Sequence, residues 1–118
     1  VVGWLYEGDL HRIPKRAHGL LAEAPPRVSP MVELELSFLF QVGKVTEPAS
    51  APLRTLQRSI GLEVADVSFA DLAAAAIDLT WTRDPFDRLI AAHAIVADAP
   101  LLTADRTILD NLPLAIWD

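Results

Sequence analysis

Two aspartates stand three residues apart in RDPFDRLIAAHA, Asp84 and Asp87, and an arginine flanks each of them, Arg83 and Arg88. The chain from Leu89 to Ala97 is otherwise apolar except for His93. A helix start accounts for both acids. Asp84 suits the N-cap and Pro85 the first helical position. Asp87 then falls where a carboxylate favours the free N–H groups and the helix dipole. The competing reading is chemical. A helix apolar on most sides is expected to be deeply packed, so Asp87 would face the end of a sheet and offer its carboxylate to a cation.

Two further stretches bear on that choice. In MVELELSFLFQVG, Glu33 shares a face with Ser37 and Gln41, whereas Glu35 falls among Met31, Val32, Leu39 and Val42. An ionised carboxylate in an apolar stripe is costly unless something pairs with it. In PLLTAD, a short apolar run ends in Thr103 and Asp105. Asp105 could cap the next helix, and Thr103 could bond to its carboxylate or to a water on a metal. Glu35, Asp87 and Asp105 are thus the acids for which plain solvation is unexpected. Three carboxylates with no cysteine and no paired histidines suit Mg²⁺ or Mn²⁺. The chemistry such a site supports is hydrolysis, with the cation activating water and stabilising a phosphoryl transition state. The three carboxylates are expected to converge within a few ångströms.

Other candidates are weaker. His11, His18 and His93 show no ligand spacing, and His93 reads as a packed or edge histidine. Ser29 lacks partners for a serine triad. There is no phosphate-binding glycine loop and no dinucleotide fingerprint. Arg83, Arg88 and Arg106 suit either ion pairs with the acids or phosphate contacts. Trp4, Trp81 and Trp117 read as core or interface anchors.

The elements that would position these acids alternate. Helices are expected over VVGWLYEGD, KRAHGLLAEA, MVELELSFLFQVG, LRTLQRSIG, FADLAAAAIDL, DPFDRLIAAHAIVADA and DRTILDN, with Ser68 a candidate cap. Strands are expected over Arg27–Ser29, LEVADV, PLLT and LAIW, and TEPASAP reads as a loop. This order implies one domain over residues 1–118, a three-layer α/β/α sandwich with a mainly parallel sheet. Such sheets bind ligands at strand carboxyl ends, where Asp105 falls.

Composition narrows the field. The 118 residues carry a net charge of -6, which disfavours binding nucleic acid mainly through a basic surface. Cations in an acidic site would reverse that sign locally. The absence of cysteine removes disulfides and thiolate chemistry and fits a cytoplasmic home. No apolar run reaches the roughly 20 residues of a membrane span.

Taken together, VSPMVELEL, RDPFDRLIAAHA, LLTAD and the terminal AIW resemble, in order and spacing, the PIN-domain ribonucleases of the VapC toxin type. The resemblance covers essentially the whole chain. It implies a bacterial toxin that cuts RNA with Mg²⁺ or Mn²⁺, a cognate antitoxin that neutralises it, and a homodimer. It implies catalytic and metal-binding roles for Glu35, Asp87 and Asp105. Thr103, Asp84 and Ser29 match supporting positions, with Asp84 kept as a cap. The family opens with a strand ending in an aspartate, and VVGWLYEG resembles the helix directly after it. A preceding segment is therefore expected; a native protein without that strand would leave sheet groups unpaired and be unstable or inactive. Three rivals stand beside this reading. A non-catalytic PIN-like module would bind without cutting. A receiver-like signalling domain wants a lysine on a late strand, and Lys15 and Lys44 come too early. A flap-type DNA nuclease wants a longer chain.

Overall fold

The computed structural model describes residues 10–118. The helix expected over VVGWLYEGD, and Trp4 with it, lies outside the described residues. The chain divides after Ala65 into two compact units, and each combines helices with one pair of parallel strands. The expected α/β class and parallel pairing are both present.

In the first unit a 3-10 turn, Leu10–Arg12, leads to α1, Lys15–Glu23. α1 stops ahead of Pro25 and Pro26 because the residue before a proline is driven away from helical geometry. β1, Arg27–Val28, runs directly into α2, Pro30–Gln41. Ser29 joins them: its Oγ accepts from the Met31 N–H at 3.1 Å, and Pro30 takes the first helical position, where no N–H is needed. Gly43, at φ +78°, ends this helix in the left-handed region. The stretch TEPASAP is a loop only in part, because α3, Ser50–Ile60, starts inside it. Pro52 is no obstacle there, since the first-turn N–H groups have no intrahelical partner anyway. Gly61, at φ +72°, closes α3.

β2, Glu63–Val64, pairs in parallel with β1, placing Arg27 opposite Glu63 and Val28 opposite Val64. A longer strand was expected over LEVADV. Its ladder is limited by its partner: β1 gives way to the Ser29 cap after two residues, so pairing ends with the Ala65 N–H donating to the Val28 carbonyl at 2.9 Å. Leu53 and Leu56 of α3 meet Val28, Ala49 and Leu62 in the core, with Val32 and Leu36 of α2 packed against them. Burying each leucine stabilises this unit by about 1.5–3 kcal/mol.

In the second unit α4, Phe69–Ala76, begins at Ser68, whose Oγ accepts from the Asp71 N–H at 3.3 Å. It ends three residues short of the expected Leu79, which instead packs on the core from the following turn. α5, Pro85–Ala97, packs against α4. Ala91 and Ala92 are fully buried, and side chains this small let the helices approach closely. The deep packing expected along the whole of α5 is corrected at its far end. Ile95 and Val96 are 41% and 39% exposed, and α5 stops at Asp98, a left-handed residue at φ 49°.

β3, Leu101–Leu102, and β4, Ala115–Ile116, form the second parallel pair, with Leu101 opposite Ala115 and Leu102 opposite Ile116. Parallel neighbours need a crossover, and α6, Arg106–Asn111, supplies it. Ile108 and Leu112 close on Ala91 and Ala94 to form this core. Trp81 lies against it, as an anchoring tryptophan should.

Candidate functional site

The acid turn at the start of α5 is built by local hydrogen bonds. Asp84 is the N-cap: its Oδ1 accepts from the Phe86 N–H at 2.8 Å and the Asp87 N–H at 3.3 Å. Asp84 itself is held by Thr82, whose Oγ1 accepts from the Asp84 N–H at 3.2 Å. Arg88 reaches back, and its Nε donates to the Thr82 carbonyl at 2.7 Å. Asp84 is exposed and Asp87 half-buried. One carboxylate oxygen from each lies within 4.8 Å of the other.

Asp105 repeats the capping device on α6. Its Oδ1 accepts from the Ile108 N–H at 3.0 Å, and the Asp105 N–H donates to Thr103 Oγ1 at 3.1 Å. Two expectations change here. Thr103 bonds to the backbone of Asp105 and not to its carboxylate. Asp105 is exposed, because α6 is a short surface crossover and its first turn projects into solvent. Among the described residues of this unit, Asp105 does not join Asp84 and Asp87 within 4.8 Å.

In the first unit, Glu35 is half-buried on α2 and Glu33 is exposed, in the order that helix phase implied. The apolar stripe around Glu35 is shallower than expected. No residue of α2 is fully buried, and Val42, assigned to that stripe, is 50% exposed past the end of the helix. Ser29 is buried, and its hydroxyl accepts the Met31 N–H as the α2 cap.

A PIN domain family model matches residues 1–112. The chain belongs to the PIN-domain family. No curated protein and no solved structure matches it significantly.

PIN domains are generally nucleases that use divalent cations. The donors in this PIN domain suit such an ion, because Asp84 and Asp87 present only oxygen. Ligand oxygens on one octahedral Mg²⁺ are about 3–4 Å apart, so a spacing within 4.8 Å is closed by a small side-chain rotation. Both capping bonds of Asp84 fall on Oδ1, so capping does not engage its Oδ2. Among the described residues, no histidine joins a group of potential ligands. His93 is half-buried on α5, and its Nδ1 is buried with no partner among the described residues. Burial pushes its imidazole pKa below the ordinary 6.5.

The flanking arginines divide. Arg83 and Arg106 are exposed, whereas the Arg88 Nε is spent on the Thr82 carbonyl. Sequence reasoning named Arg88 for ion pairing or phosphate and missed Thr82 altogether. The signal was present: Thr82-Arg83-Asp84 and Thr103-Ala104-Asp105 share the spacing Thr-x-Asp directly before a helix. Among the described residues, no helix is long and apolar enough to cross a membrane.

Proposed function

We propose that this PIN domain is a metal-dependent ribonuclease of the VapC toxin type, acting in the bacterial cytoplasm and neutralised by a cognate antitoxin. The observation that carries the reading is the pair of carboxylates at the start of α5, Asp84 and Asp87, whose oxygens come within 4.8 Å. Asp87 is the central ligand, half-buried and placed at the positive end of the helix. Asp84 holds the first turn through its cap and adds charge to the same spot. The resemblance adds Glu35 and Asp105 as further candidate ligands, Asp105 standing outside the Asp84–Asp87 pair in this structure.

Mg²⁺ or Mn²⁺ bound by these acids would supply a Lewis acid that lowers the pKa of water and offsets charge on a phosphodiester. The protein's own part is to gather negative charge that a cation neutralises. That local reversal lets RNA approach a chain whose net charge is -6. Arg83 and Arg106, exposed beside the two caps, are placed to meet phosphates. A homodimer belongs to the same reading.

The test incubates the full-length protein with a mixed RNA pool, in Mg²⁺ or Mn²⁺ and in EDTA, beside Asp87→Asn. Cleavage should require the cation and fall more than about 100-fold in the variant, since even indirect supports of a metal site cost 10–100-fold. RNA binding that survives both EDTA and Asp87→Asn, with no cleavage in any arm, would replace this reading with a non-catalytic binding module. That alternative draws on the caps, which account for Asp84 and Asp105 without any metal.

A further inference from the structure

The two Thr-x-Asp turns share a hydrogen-bonding pattern, although Asp84 caps two N–H groups and Asp105 one. In each, a threonine hydroxyl accepts from the aspartate N–H, and the aspartate caps a helix. Four residues after the capping aspartate stands Arg88 in the first turn and Leu109 in the second. A leucine side chain cannot donate a hydrogen bond, yet the Asp105 cap forms without a side-chain donor at that position. Capping therefore does not require Arg88, and its bond to Thr82 does something more.

That bond closes a ring. The Thr82 carbonyl is held by Arg88 Nε at 2.7 Å, and the Thr82 hydroxyl is held by the Asp84 N–H at 3.2 Å. Asp84 and Asp87 both lie inside the closed segment from 82 to 88. Tying the peptide at both ends removes freedom that would otherwise let the two carboxylates drift apart. A small octahedral cation is sensitive to such drift, because it tolerates little variation in ligand spacing. The guanidinium is suited to this role: it stays charged, and its planar donors hold one geometry where a lysine ammonium would rotate.

We propose that Arg88 is a positioning residue for the Asp84–Asp87 pair, acting through Thr82 and touching neither RNA nor cation. This rests on the cation site proposed above. The test measures Mn²⁺ affinity of the full-length protein, together with amide hydrogen exchange at Phe86 and Asp87 and the KM for RNA. Arg88→Met should weaken Mn²⁺ binding about tenfold or more, as for other groups that orient metal ligands. It should also speed exchange at the two amides relative to the α5 interior. Arg88→Lys should restore part of each effect, and Thr82→Val, which removes the hydroxyl acceptor, should reproduce both. If Arg88→Met does not fold, those two variants carry the same readouts. Parental Mn²⁺ affinity in Arg88→Met overturns the proposal, and a raised KM alongside it would mark Arg88 as a phosphate contact. If the parent protein itself binds no Mn²⁺, the proposed function falls. The ring is then judged by exchange alone, and unchanged protection in Arg88→Met overturns it.

Discussion

Replacing Asp84 by asparagine and, separately, by alanine should separate its work as a cap from its work as a charge. Alanine removes both hydrogen bonds to the first turn of α5. Losing an N-cap costs about 0.5–2 kcal/mol, and the exposure of this one points to about 1 kcal/mol. For a chain of this size that lowers Tm by about 3–5 °C. Asparagine caps as well as aspartate, so it should lose only the charge. Two opposing terms then nearly cancel. The favourable contact with the helix dipole, about 0.3–1 kcal/mol, is given up. The repulsion between Asp84 and Asp87, whose oxygens lie within 4.8 Å, is relieved by roughly 0.9 kcal/mol in water. Without metal, Asp84→Asn should therefore melt within about 2 °C of the parent. With Mn²⁺ at 100-fold above its Kd, the parent should gain about 2.7 kcal/mol, and the variant clearly less. Thermal unfolding by circular dichroism, with Mn²⁺ and with EDTA, reads all of these. An asparagine variant as destabilised as the alanine variant in EDTA would refute the capping argument. Equal Mn²⁺ stabilisation of parent and Asp84→Asn would refute the assignment of that charge to a cation.

Asp105→Asn, which keeps the α6 cap and removes the charge, should reduce Mn²⁺ affinity less than Asp87→Asn does; isothermal titration compares the two. Gly61→Ala should lower stability by about 1–2 kcal/mol in a urea unfolding curve, because an L-residue pays that in the left-handed region. The new Cβ would also meet Pro25 Cβ at 3.3 Å. His93 should make stability depend on pH. Its folded pKa is depressed by burial, so the unfolded chain takes up a proton that the folded chain resists. Its contribution is full above pH 6.5 and is lost as pH falls toward the lowered folded value. His93→Leu should flatten the stability profile below pH 6.5, read by urea midpoints across that range.

What the sequence determined by itself was local. The Asp84, Ser68 and Asp105 caps and the glycine stops at Gly43 and Gly61 join groups a few residues apart, so residue type and spacing suffice to read them; Ser29, expected to end a strand, is a cap of the same kind that went unread. The order of motifs sufficed for the family in the same way. The acids of the candidate site were legible to that extent, as residues of the right kind beside helix starts.

Tertiary structure decided the rest, because it turns on partners distant in the chain. β2 is short because β1 ends at the Ser29 cap. The end of α5 is exposed although its composition reads as buried, since hydrophobic periodicity reports which face is apolar and not whether anything covers it. Asp105 looked enclosed at a strand end, but the start of the crossover, Asp105 to Thr107, is exposed. The bond from Arg88 to Thr82 spans six residues and depends on the angle at which the loop enters the helix. Spacing in the sequence does not specify that angle; the packing of α5 on its core does.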